Sequence, residues 1–83
     1  MFTVYALHSP AHSKIYVGFS SDLEKRLLAH NELATKGWTI RFRPWKLIYS
    51  KSFPTKADAM KHEKELKTAK GRTFIWSLVL SKP

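Results

Sequence analysis

Two runs rich in β-branched and aromatic residues, Phe2 to His8 and Lys14 to Ser20, stand on either side of "SPAHS". Pro10 interrupts the strand pattern, and so short a connection predicts an antiparallel hairpin. In the second run Ile15, Val17 and Phe19 share one face, and Tyr16, Gly18 and Ser20 the other. A symmetric, unbulged turn would set Tyr5 opposite Tyr16 or its neighbour. Side chains directly opposite share a face, so both phenols would then point the same way.

The next segments read as helix, strand and helix. Ser21 is the expected N-cap of the first helix, with Glu24 three residues on completing a capping box. This helix is expected to run to about Ala34, burying Leu23, Leu27 and Ala34. Lys36 to Pro44, "KGWTIRFRP", is a basic, aromatic connection. Trp45 to Phe53 reads as a third strand, with Trp45, Leu47 and Tyr49 alternating against Lys46, Ile48 and Ser50. Thr55 caps a second helix, and Asp58 favours its first turn. Gly71 is its expected C-terminal stop. For "RTFIWSLVL" helix and strand both stay open, because periodicity does not separate them. The layout is α+β: a small sheet covered by helices, in a single domain over residues 1–83.

With 43% hydrophobic and 13% aromatic residues, the chain can fill a core. It has no cysteine, so disulfides and thiolate zinc sites are excluded, and a reducing compartment is compatible. No apolar run approaches the roughly 20 residues needed to cross a bilayer. The apolar start, MFTVYALHSP, lacks the basic region of a signal peptide, so the expected address is cytoplasmic. A net charge of +9 points to a polyanionic partner, nucleic acid first. An anionic membrane fits less well, since neither candidate helix pairs a broad apolar face with its basic one.

Projection of the helices at about 100° per residue exposes three oddities. Leu23, Leu27, His30, Leu33 and Ala34 fall in one arc, with Arg26 beside Leu33. In the second helix Glu63 falls amid Ala59, Met60 and Leu66. Each has an ordinary explanation: a satisfied core histidine, an arginine whose head reaches water, a carboxylate paired with Lys67. Three together, on helices covering one small sheet, suggest a site. With Tyr5 and Tyr16 the set suits phosphodiester hydrolysis. A carboxylate can hold a hard divalent cation, arginine can brace transition-state charge, and a phenol or imidazole can handle the proton of the attacking water.

"TVYAL" followed by "KIYVGFS" resembles the paired motif of the GIY-YIG nuclease superfamily. Arg26, His30 and then Glu63, within "RFRPWKLIYSKSFPTKADAMKHEKELK", continue the series in the family's order. The chain is most similar to small stand-alone members related to the N-terminal nuclease domain of the excision-repair incision subunit. The resemblance implies a three-stranded antiparallel sheet flanked by helices (β-β-α-β-α-α). It implies Mg²⁺ or Mn²⁺ held by Glu63, and tyrosine-assisted attack of water on a DNA phosphodiester. It gives Arg26 the stabilisation of the phosphorane-like state and His30 a place in the catalytic set. It leaves open which of Tyr5 and Tyr16 is the base. Gly18, lacking a side chain, would let backbone or substrate approach. The chain departs from the family at Thr3, where the motif has glycine, and in "GRTFIWSL", which lacks the asparagine many relatives carry there.

Arg41, Arg43 and Lys46 in "RFRPWK", together with Lys67, are the expected nucleic-acid contacts; Trp45 is expected to pack inward. His8 and His12 flank Pro10 and form no metal pair, and His62 is expected at the surface. The reading is a metal-dependent DNA endonuclease, in repair or recombination, with RNA as an alternative substrate. A catalytically weak or inactive nucleic-acid-binding module of the same fold is the rival. The sequence names no protein partner.

Overall fold

The computed structural model describes residues 1–33 and 38–80, with only the backbone at 32, 33 and 38. β1 (Phe2–Ser9) and β2 (Lys14–Ser20) form the hairpin, and β3 (Lys46–Phe53) pairs with β1, giving an antiparallel sheet of order β2-β1-β3. The central strand carries the core: Val4, Tyr5, Ala6 and Leu7 are all fully buried. α1 (Leu23–Leu28) continues into a π-helical turn, Ala29–Leu33, and a 3-10 helix spans Trp38–Phe42. α2 (Lys56–Leu66) and α3 (Ala69–Leu80) follow β3.

The helices cover opposite faces of the sheet. Ala59, Leu66 and Ile75 of α2 and α3 pack with Val4, Ala6 and Val17. On the other face Leu23 and Leu27 of α1 pack against Tyr5, Leu7 and Trp45. Strand alternation produces this division, since neighbouring residues of β1 face opposite layers.

The hairpin register corrects the expected pairing. β1 extends to Ser9, which pairs with Lys14, and Ser13 closes the loop at a φ of 52°. Tyr5 therefore lies opposite Gly18, and Leu7 opposite Tyr16. The displacement is two residues, which preserves side-chain parity, so both phenols still share a face. Their ring centroids are 6.2 Å apart.

Five other sequence expectations change. Asp22, rather than Ser21, caps α1, its carboxylate accepting from Lys25 N at 3.1 Å. The later start removes Glu24 from the third helical position, and the capping box does not form. A β-bulge sets Leu47 opposite Leu7 but Tyr49 opposite Ala6. Tyr49 thereby leaves the Trp45 and Leu47 face and joins α2, where its hydroxyl meets His62 Nε2 at 2.8 Å. His62 is accordingly half-buried rather than a surface residue, and Met60 is exposed. Finally, Gly71 does not end a helix. α2 stops at Leu66, and Gly71 lies within α3, which resolves "RTFIWSLVL" as helix. The predicted end of the first helix at Ala34, residues 36–37 of the basic connection and the side chain of Leu33 lie outside the described residues. The Thr55 cap and the inward packing of Trp45 match the reading.

Gly71 earns its place by proximity. A Cβ there would fall 2.5 Å from Leu66 Cα and against the Glu65 carbonyl. Backbone has no room to yield, so the α2–α3 corner would have to open. Gly71→Ala is expected to destabilise the fold by about 1–3 kcal/mol, read as a lower urea midpoint. An unchanged midpoint would mean the corner is not tightly packed.

Candidate active site

Gly18 shapes the site. Tyr5 is on the central strand, and its ring extends across the neighbouring strand at the one position without a side chain. A Cβ on Gly18 would meet Tyr5 Oη at 2.9 Å and Tyr16 Cε1 at 3.1 Å. The space expected for substrate over Gly18 is thus taken by the Tyr5 phenol, which is carried to the outer edge of β2.

There the phenol meets the π-helical turn that follows α1. Tyr5 Oη lies 3.0 Å from His30 Nε2, and His30 Nδ1 lies 3.0 Å from Thr39 Oγ1. His30 is buried, at 7% exposure, and its ring sits 4.8 Å from that of Tyr16. The wide π-helical turn that carries His30 is braced from below. Arg43 Nε donates to the His30 carbonyl at 2.6 Å, and Nη2 to the Ala29 carbonyl at 3.0 Å. Asn31 closes the same turn on the backbone of Trp45, through bonds of 2.6 and 3.1 Å.

Electrostatics connect the remaining groups. Burial pushes the Tyr5 phenol up to about 12, helped by Tyr16 and, more weakly, by Glu63; a hydrogen bond and charge from Arg26 oppose it. Burial lowers His30 below its ordinary 6.5, and Arg26 and Arg43 lower it further. His30 is therefore neutral at pH 7. Arg26 can only donate to the Tyr5 oxygen, while a neutral imidazole donates through one ring nitrogen and accepts through the other. The tautomer in which Nε2 accepts from the Tyr5 hydroxyl is the one that directs Nδ1–H to Thr39.

Glu63 reaches this edge from the opposite layer. It is on the sheet side of α2, between Ala59 and Leu66, with a side chain 16% exposed. Lys67 Nζ lies 3.7 Å from its carboxylate, the pairing the spacing suggested. Tyr5, Tyr16, Arg26, His30, Glu63 and Lys67 thus gather around the β2 edge. Arg41 and Lys46 are exposed elsewhere, and Arg43 is half-buried and bonded to backbone carbonyls. Sequence reading missed Thr39, Asn31 and this use of Arg43. Thr39 and Arg43 reach His30 and its turn from later in the chain, Asn31 lies in the turn itself, and no periodicity marks them.

Two phenols, an imidazole, a guanidinium and a carboxylate lie toward one edge of a strongly basic α+β domain. The family model for the GIY-YIG catalytic domain matches residues 1–75. A UPF0213 protein of Staphylococcus saprophyticus is 41% identical over 54 residues, covering 65% of this chain and 66% of that protein. A UPF0213 protein of Bacillus velezensis is 40% identical over 66 residues, covering 76% of this chain and 67% of its own length. The solution NMR structure of a UPF0213 protein from Bacillus halodurans superposes with a TM-score of 0.55 at 27% identity, covering 94% of this chain and 85% of that one. The chain spans less than two thirds of the length of the first of these relatives. This chain belongs to the GIY-YIG family, whose members are generally endonucleases. Among the described residues no helix is long and apolar enough to cross a membrane.

The lowered His30 has a consequence for stability. Below pH 6.5 the unfolded chain binds a proton that folded His30 resists. The contribution is present above 6.5 and is lost as pH falls through the lower folded value. The urea midpoint of the parent is expected to fall across that window relative to His30→Gln. Parallel curves would place His30 in water.

Proposed function

We propose that the protein is a metal-dependent endonuclease that hydrolyses phosphodiester bonds in DNA, in repair or recombination. The observation carrying this reading is the Tyr5–His30 hydrogen bond at 3.0 Å, with Arg26 and Glu63 both acting electrostatically on the same phenol.

The donor set suits a hard cation. Among the described residues no group of three or more His, Cys, Asp or Glu is present, which disfavours a caged metal such as zinc. A single, partly exposed carboxylate suits Mg²⁺ or Mn²⁺, which keep bound water and take further oxygen from substrate phosphate. Glu63 would hold the ion. When bound, it supplies positive charge to a phosphoryl oxygen and eases the loss of a proton from water.

The chain's own residues do the rest. Arg26 is exposed, so its guanidinium can meet the phosphate and brace the charge that grows as the fifth bond to phosphorus forms. With its pKa at about 12, Tyr5 is a neutral phenol and not a standing base. It acts as a relay: the proton of the attacking water arrives on Tyr5 oxygen while the phenol's own proton passes to His30 Nε2. Arg26 and Arg43 disfavour imidazolium in the free protein, and the anionic phosphate offsets them. The departing oxygen is protonated from solvent, and His30 returns its proton to water.

Purified protein is expected to nick supercoiled plasmid with Mg²⁺ or Mn²⁺ and to stop on adding chelator. Glu63→Gln should abolish nicking. Nicking at the parental rate would trace the activity to a contaminant and leave a nucleic-acid-binding module.

Arg26→Ala should lower kcat by about 10²–10³-fold while DNA affinity changes little, because its contact strengthens in the transition state. Equal losses in rate and affinity would assign Arg26 to binding alone.

A further inference from the structure

Two clefts lie along the β2 edge. One, of about 520 Å³, includes Phe19, Asp22, Lys25, Arg26 and Lys56. The other, of about 500 Å³, opens beyond Tyr16 and is lined by Lys14, Tyr16, Lys67, Arg72 and Trp76 among others. Neither contains Tyr5, His30 or Glu63, but each adjoins that group, through Arg26 on one side and through Tyr16 and Lys67 on the other. We propose that the second cleft is a nucleotide subsite, taking one unpaired nucleotide beside the scissile bond, its phosphate on Lys14 and Arg72 and its base against Trp76. This rests on the endonuclease reading and extends it to the shape of the substrate.

Charge is the first support. Three cations line the cleft, and no carboxylate does. Lys67 is paired with Glu63, and Lys14 Nζ lies 5.6 Å from the centroid of the Phe42 ring. Arg72 is exposed and has no acidic partner among the described residues. Like charges gathered in a concave surface focus a field that draws an anion.

The aromatic wall is the second support. Trp76 is half-buried, and His8 crosses it at 80° with centroids 5.7 Å apart, propping the ring rather than stacking on it. A cavity of this size lies within the ordinary range for small-ligand sites, about 300–1,000 Å³. Cations beside aromatic rings characterise grooves that hold single strands, where each exposed base offers a π-face. A duplex hides those faces in its own stack, so Trp76 would have nothing to bind there. Continuity fixes the position along the strand: Tyr16 lines the cleft and also contacts His30, and Lys67 lines it and also holds Glu63.

The test is tryptophan fluorescence during titration with a 5′-phosphorylated tetrathymidylate, in chelator so that nothing is cut. Quenching is expected with the full chain. Trp76→Leu should remove most of the quench and weaken binding by about tenfold. Arg72→Gln, at an exposed position that does not threaten folding, should weaken binding and reduce the salt slope by about one. Variants that bind like the parent would overturn the subsite. So would a blunt duplex binding as tightly as the single strand, or oligoglutamate competing as well as the oligonucleotide, which would mark a peptide site. Nicking is measured separately. If it is absent while binding depends on Trp76 and Arg72, the endonuclease reading fails and the nucleotide site stands. If nicking is present and the variants bind normally, only the subsite fails.

Discussion

The contact between the Tyr5 phenol and His30 Nε2 joins the central strand to the first helical layer, and the candidate chemistry is built around it. It exists because Gly18 leaves a gap in β2 through which the phenol passes. A buried polar pair of this kind is costly unless every atom is satisfied. Here Tyr5 and His30 satisfy each other, Thr39 takes the second imidazole nitrogen, and Arg43 and Asn31 secure the π-helical turn beneath. Among the described residues no buried side-chain nitrogen or oxygen lacks a partner.

The sheet has a second role, as a partition. Arg26 and His30 come from the layer on one face, and Glu63 from the layer on the other. Groups on opposite faces of a sheet do not meet through it. They meet at its edge, and β2 is an edge strand. The carboxylate therefore sits close enough to influence Tyr5 while its side chain keeps 16% of its surface exposed. That placement suits a hard cation, which needs an acidic ligand and room for water and substrate oxygen. Lys67 steadies the carboxylate across the helix turn.

Much of this was legible in the chain. Period-two alternation located β1 and β2, and their spacing brought both tyrosines to one face. Helical projection marked Arg26, His30 and Glu63 as polar groups in apolar company. The register was not legible at single-residue precision, because loop length and the Ser13 conformation decide it. The bulge that moved Tyr49 was invisible too, since nothing in "WKLIYSKSF" announces an extra residue. Gly71 misled for a physical reason: glycine serves both as a helix stop and as a point of close backbone contact, and local sequence does not say which.

The sequence alone determined the α+β layout, the basic charge and the chemical types available, because these follow from periodicity and composition. Only the tertiary structure decided that the opposing layers meet at one strand edge, that Tyr5 rather than substrate fills the space over Gly18, and that Thr39 orients His30. Those outcomes depend on contacts between residues far apart in the chain, and a local pattern carries no distance information across a loop.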